Sequence, residues 1–151
     1  MLAVSCLQIT TLAQATSTQA ASNAEAEVAA IMDDVLKRGE GQVGDVKTNT
    51  WVPPSPADIE RIQRAGHDAI EPLSRCLDSR RPFMRILAVR FLGEIGGADV
   101  LPSLKRALEP NEQNSVRIYA LAALLSVPDE LALPILRNAV HDSDPLGRGK
   151  G

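Results

Sequence analysis

Two stretches of this chain are near-copies of one another. FMRILAVRFLGEIGGADVLPSLKRAL runs from Phe83 to Leu108, and SVRIYALAALLSVPDELALPILRNAV runs from Ser115 to Val140. Arg85 matches Arg117, Ala88 matches Ala120 and Leu92 matches Leu124, each 32 positions on (117 − 85, 120 − 88, 124 − 92). Pro102 matches Pro134 and Leu104 matches Leu136 at the same offset. A fixed period of roughly 20 to 50 residues is the mark of a repeat array, in which each unit buries its neighbour's apolar face.

The composition agrees with helical units. Aromatic residues make up only 3% of the 151 residues while 44% are hydrophobic, so Leu, Ile, Val and Ala must build the core. That suits closely packed helices better than a β-sandwich, which favours aromatic and β-branched residues. The net charge of −3 carries no basic excess of the kind that marks a nucleic-acid binder. Two cysteines, Cys6 and Cys76, cannot make a multi-bridge framework.

Residues 1–15 read as a signal peptide. They are uncharged, largely apolar or small, and end in Ala13-Gln14-Ala15, a cleavage site of the A-x-A type. The basic region that ordinarily opens such a segment is missing, since the first Lys or Arg is Lys37. The apolar run is too short and too interrupted to span a bilayer. Residues 16–22 read as a polar linker, and residues 23–38 as a helix capped by Ser22 or Asn23. In that helix Val28, Ile31, Met32, Val35 and Leu36 form one apolar stripe. Residues 39–54 read as a Gly- and Pro-punctuated loop, with Trp51 packing as a staple over the next helix.

Residues 55–142 read as the repeat array. Ser55 is an N-cap, with Pro56 at the first helical position and Asp58 three residues after the cap. Helices are expected over about 56–65, 69–77, 81–95, 98–108, 115–126 and 130–140. Asp68 is expected to cap the second, and Ser79 the third. Ile118, Ala122 and Leu125 or their neighbours are expected to point inward on the fifth. Residues 143–151 read as an incomplete repeat or tail, because Gly147, Gly149 and Gly151 do not sustain a helix. The last pair is then expected to expose some of Leu131, Leu133, Ile135 and Leu136.

At this point the array resembles HEAT repeats, particularly the short bacterial type also found in phycobilisome-lyase-like proteins. The resemblance covers about Pro56 to the end. It rests on the prolines Pro72, Pro102 and Pro134, the acids Asp78, Glu109 and Asp142, and the arginines Arg85, Arg117 and Arg148. The small residues Ala88 and Ala120 and the leucines Leu92 and Leu124 complete it. It implies an all-α fold: an α-solenoid of about three HEAT-like helix pairs preceded by one extra helix. It also implies a structural ladder of those acids and arginines, with Asp78–Arg85 and Asp142–Arg148 tying turns to helix starts.

No convergent catalytic set stands out. His67-Asp68 reads as a helix junction rather than a catalytic pair. A lone His141 beside Asp142 and Asp144 is a weak ligand set, so no metal or other cofactor is expected. Cys76 reads as a small core residue, and Gly39, Gly41 and Gly44 follow no strand as a phosphate loop would. Seven arginines between Arg61 and Arg90 are interleaved with acids and lack aromatic neighbours, which argues against stacking on nucleic acid.

The expected function is therefore a non-catalytic protein–protein interaction scaffold, exported to the periplasm or secreted. Arg61, Arg64, Leu131 and Ile135 form its candidate interaction face. The partner is a protein or peptide, and the C-terminal edge is a candidate for self-association. The alternatives are an accessory component of a lyase-like enzyme system, by resemblance alone, a structural fragment of a longer repeat protein, or a cytoplasmic location.

Overall fold

A computed structural model describes residues 5–43, 46–49 and 53–141 of the chain, and the side chains of residues 18–39 and 53–138. The first helix, α1, spans Ser5–Gly39. A two-stranded antiparallel hairpin follows, β1 (Glu40–Val43) and β2 (Val46–Asn49), with Glu40 opposite Asn49 and Val43 opposite Val46. Then come α2 (Pro56–Ala65), α3 (Ile70–Cys76), α4 (Pro82–Ile95), α5 (Leu101–Ala107), α6 (Asn114–Ala123) and α7 (Asp129–His141). The pairs α2–α3, α4–α5 and α6–α7 are the three repeat units, so the chain is an all-α solenoid of three helix pairs preceded by one extra helix.

The first helices of successive units stack on one another. α2 packs on α4, and α4 makes its most extensive contact with α6. The second helices lock into the next unit, α3 against α4 and α5 against α6, while α1 lies on α2 and α3. Its stripe of Val28, Ile31, Met32 and Val35 is buried there. Phe91, Leu87, Val89 and Leu92 of α4 are fully buried between their neighbours. Each such side chain contributes about 1.5–3 kcal/mol relative to exposure.

Glycines in and just after α4 set how closely the units approach. A Cβ on Gly93 would lie 3.0 Å from the Cβ of Ala123 on α6, so the two helices meet nearly backbone to backbone. After α4 the chain turns through Gly96 (φ 67°, ψ −167°) and Gly97 (φ 80°, ψ −178°), a region that is essentially glycine-only. The turn is then tied to the next unit, because the Gly97 N–H donates to the Ser126 carbonyl at 3.0 Å.

Several expectations need correction. The polar linker at 16–22 and the caps at Ser22 and Asn23 lie inside α1. Eight alanines between Ala13 and Ala30, with no Gly or Pro among them, carry the helix across this polar stretch. Asn23 serves an i,i+4 bond instead, accepting from the Gln19 side chain at 3.0 Å. The expected loop at 39–54 holds the hairpin.

Asp68 belongs to a short 3₁₀ turn, Gly66–Ala69, and α3 has no side-chain cap. Ser79 lies two residues before the N-cap of α4, Arg81, and its Oγ accepts from the Arg81 N–H at 3.3 Å. On α6 the inward residues are Val116, Ala120, Ala123 and Leu124, while Ile118 is 50% exposed. Ala123 and Leu124, the neighbours of Ala122 and Leu125, do point inward, with Ala123 against Gly93, so the correction falls on Ile118 and Leu125 themselves. Trp51, Asp142, Asp144, Arg148 and the 143–151 tail lie outside the described residues.

Candidate interaction site

The ladder has a different register from the expected one. Asp78 does not bond Arg85; it pairs with Arg106 of α5 at 2.5 Å, well exposed to solvent. Arg85, in the first turn of α4, donates from Nη1 to the Ser79 carbonyl at 2.6 Å and from Nε to Glu112 at 3.1 Å. Glu112 also accepts from the Gln113 N–H at 2.7 Å, so one carboxylate joins Arg85 to the start of α6. Arg85 and Glu112 are largely buried, with side chains 13% and 18% exposed. Glu109, the expected rung, is exposed, and Arg117 is buried. Glu112 sits just before α6, where a short polar loop makes either acid equally plausible from sequence.

The expected interaction face divides. Arg61 is bound within the molecule, to Glu27 at 2.6 Å and to Asp34 at 3.2 Å, both on α1. Its bond to Glu27 holds that carboxyl below the usual range, against the effect of burial. The same bond raises Arg61 further above its already high value. Arg61 therefore fastens α1 to α2, whereas Arg64 is exposed. Leu131 is 41% exposed and Ile135 half-buried at the far end of the stack.

Sequence reasoning missed a groove between α1 and α3, of about 570 Å³. Val28, Met32 and Leu36 of α1 face Pro72 and Cys76 of α3 across it, and Met84 of α4 closes one end. The rim is charged but internally paired. Arg75 reaches Glu25 across the groove at 3.1 Å, Lys37 holds Asp33 at 2.5 Å, and Asp78 is held by Arg106. The interior is thus apolar and the rim nearly neutral. Methionines at such surfaces adapt to varied side chains. The signal was present in α1, whose apolar stripe is wider than one neighbouring helix covers, but only the docking of α1 beside α3 makes it a groove.

The thiol on the wall of this groove is held towards its neutral form. Cys76 is half-buried, and burial pushes its thiol up, with Arg75 offsetting only part of the effect. A thiol held in its neutral form is a poor nucleophile. His67 is well exposed beside Asp99 at 3.3 Å, on the wall of an open hollow of about 300 Å³ that it lines with Ala21, Asp68, Ile70 and Glu71. Among the described residues no three His, Cys, Asp or Glu side chains converge as metal ligands. Among them, too, no helix is long and apolar enough to cross a membrane.

A model of the family described as HEAT repeats matches residues 59–124, from α2 to the end of α6. No curated protein and no solved structure matches the chain.

Proposed function

We propose that this chain, which belongs to the HEAT-repeat family through residues 59–124, is a non-catalytic scaffold that holds a protein partner in the α1–α3 groove. HEAT repeats are generally protein-interaction scaffolds. The observation that carries the site is the apolar groove with a self-neutralised rim. Such a surface suits an apolar side chain from a protein segment better than an ion or a polar metabolite. Ala29 is exposed on the groove wall, which makes it the place to test the reading. A photoreactive residue at position 29 should crosslink one partner in stoichiometric amount. Ala29→Arg should abolish that capture without changing helicity. Turnover of a small molecule by the purified chain, or capture that Ala29→Arg leaves intact, would overturn the proposal.

We also propose export with cleavage after Ala15. The sequence Ala13-Gln14-Ala15 motivates it. Residues 18–23 are exposed and Ala24 is the first buried side chain described on α1, so cleavage after Ala15 leaves all the described packing of the helix in place. Sequencing the N-terminus of the mature protein decides the point: a chain beginning at Thr16 supports it, and a cytoplasmic chain that keeps residues 1–15 refutes it.

A further inference from the structure

We propose that the C-terminal edge of the stack, formed by Ile118 and Leu121 of α6, Leu125 in the turn just after it, and Leu133 and Leu136 of α7, is the contact surface of a two-fold homodimer. This is independent of the groove reading and uses a different face of the molecule.

The 32-residue period identifies the edge. Subtracting 32 places these residues at Ile86, Val89, Gly93, Leu101 and Leu104 of the preceding unit. There the next unit covers them, because α6 packs on both α4 and α5. Val89 and Leu104 are fully buried, and Gly93 touches Ala123. In the α6–α7 unit the same positions are open among the described residues: Ile118 is 50% exposed, Leu125 82% and Leu133 47%. Exposed apolar residues clustered on one face mark an interaction surface.

The structure also narrows what covers that face. A partner that stacks as α6 does on α4 must come as close as Gly93 permits. Leu125 stands at that position, and its side chain fills the space such a helix would need. Head-to-tail association of copies further requires an open first edge. α1 closes that edge, burying its apolar stripe and turning Glu25, Ala26, Ala29, Ala30 and Asp33 outward. A second copy can instead meet this edge with its own, and a two-fold contact of that kind must be complementary to itself.

α7 meets that requirement. Asp129, Leu133 and Arg137 recur every four residues along one line of the helix, and all three are exposed. The two charges are opposite and lie equally far from Leu133, each about 6 Å along the axis at 1.5 Å per residue. A two-fold axis through Leu133 sets Leu133 against its own image. It also brings Asp129 opposite Arg137 of the second copy, and Arg137 opposite the second copy's Asp129. The result is an apolar centre with an opposite-charge pair on either side, the arrangement of an ordinary protein interface.

Sedimentation equilibrium of the full chain tests this. At about 100 μM, where contacts of micromolar strength are populated, dimer is expected. Leu133→Asp should give monomer with unchanged helicity, since Leu133 lies outside the core. Asp129→Arg and Arg137→Asp should each weaken the dimer about tenfold or more, and the two together should restore it, because exchanging both charges keeps them complementary. Monomer at that concentration, a dimer that survives Leu133→Asp, or a double exchange no tighter than the single ones would each overturn the proposal. So would an unlike protein covering the edge of a chain that remains monomeric.

Discussion

Arg38, in the last turn of α1, donates from Nη2 to Oδ2 of Asp58, the third residue of α2. The same oxygen accepts from the Ser55 N–H and the Ser55 hydroxyl, each at 2.7 Å, and the Asp58 N–H returns a bond to Ser55 Oγ at 3.3 Å. A capping box that would serve α2 alone thus also clamps the extra helix to the repeat array. Burial pushes the Asp58 carboxyl up, but the bonds from Arg38 and Ser55 outweigh it and hold the group below the usual carboxylate range. A depressed folded value means that the stability is present above the unfolded value, about 3.9, and is lost as pH falls through the folded one. Asp58→Asn should therefore lower stability by about 1.5–3 kcal/mol at neutral pH. Its effect should shrink as pH falls below about 4, where the unfolded carboxyl is protonated first, and vanish once pH passes below the depressed folded value. Urea unfolding of both proteins at a series of pH values reads this directly.

The contact between Gly93 and Ala123 gives a second expectation. A Cβ there already sits 3.0 Å from Ala123, so a large side chain has no room. Gly93→Leu should destabilise by about 1–3 kcal/mol even though leucine is the better helix former. Adding Ala123→Gly should recover part of the loss. Denaturant midpoints of the single and double variants supply the comparison, and a neutral Gly93→Leu would mean that α4 and α6 are not so closely packed.

The two carboxylates near the repeat turns should differ sharply. Glu112 is largely buried against Arg85, whereas Asp78 is 69% exposed against Arg106. Glu112→Gln should cost about 1.5–3 kcal/mol. Asp78→Asn should cost no more than about 1 kcal/mol, and less at high salt, as for other solvated pairs. Thermal unfolding at low and high salt separates them, and an equal loss for both would contradict the burial difference.

Cys76 is expected to be a slow thiol. Its raised value and partial burial in the groove should make it react at pH 7 more slowly than an exposed cysteine, by about tenfold or more. The rate with a disulfide reagent, before and after unfolding in urea, measures the factor. A partner peptide seated in the groove should slow it further, while one that leaves the rate unchanged binds elsewhere.

Much of the architecture was legible in the chain itself. The Gly96-Gly97 break, the Ser55-Pro56-Asp58 start, and the paired prolines and arginines report local requirements: a backbone region open only to glycine, a helix N-terminus needing a side-chain acceptor, a period of 32 residues. These depend on near neighbours, so residue order alone determines the all-α repeat class and its helix pairs. Other features depend on partners distant in sequence. Whether Arg85 meets Asp78 or Glu112 depends on the position of α6, 27 residues away. Arg61 looked free for a partner until α1 folded across it. The α1–α3 groove exists only because α1 docks beside α3. Likewise Leu125 lies outside rather than inside because Gly93 draws Ala123, not its neighbours, against α4. Local propensity and periodicity determine which elements form; mutual packing decides which charges pair and which apolar residues are left for a partner.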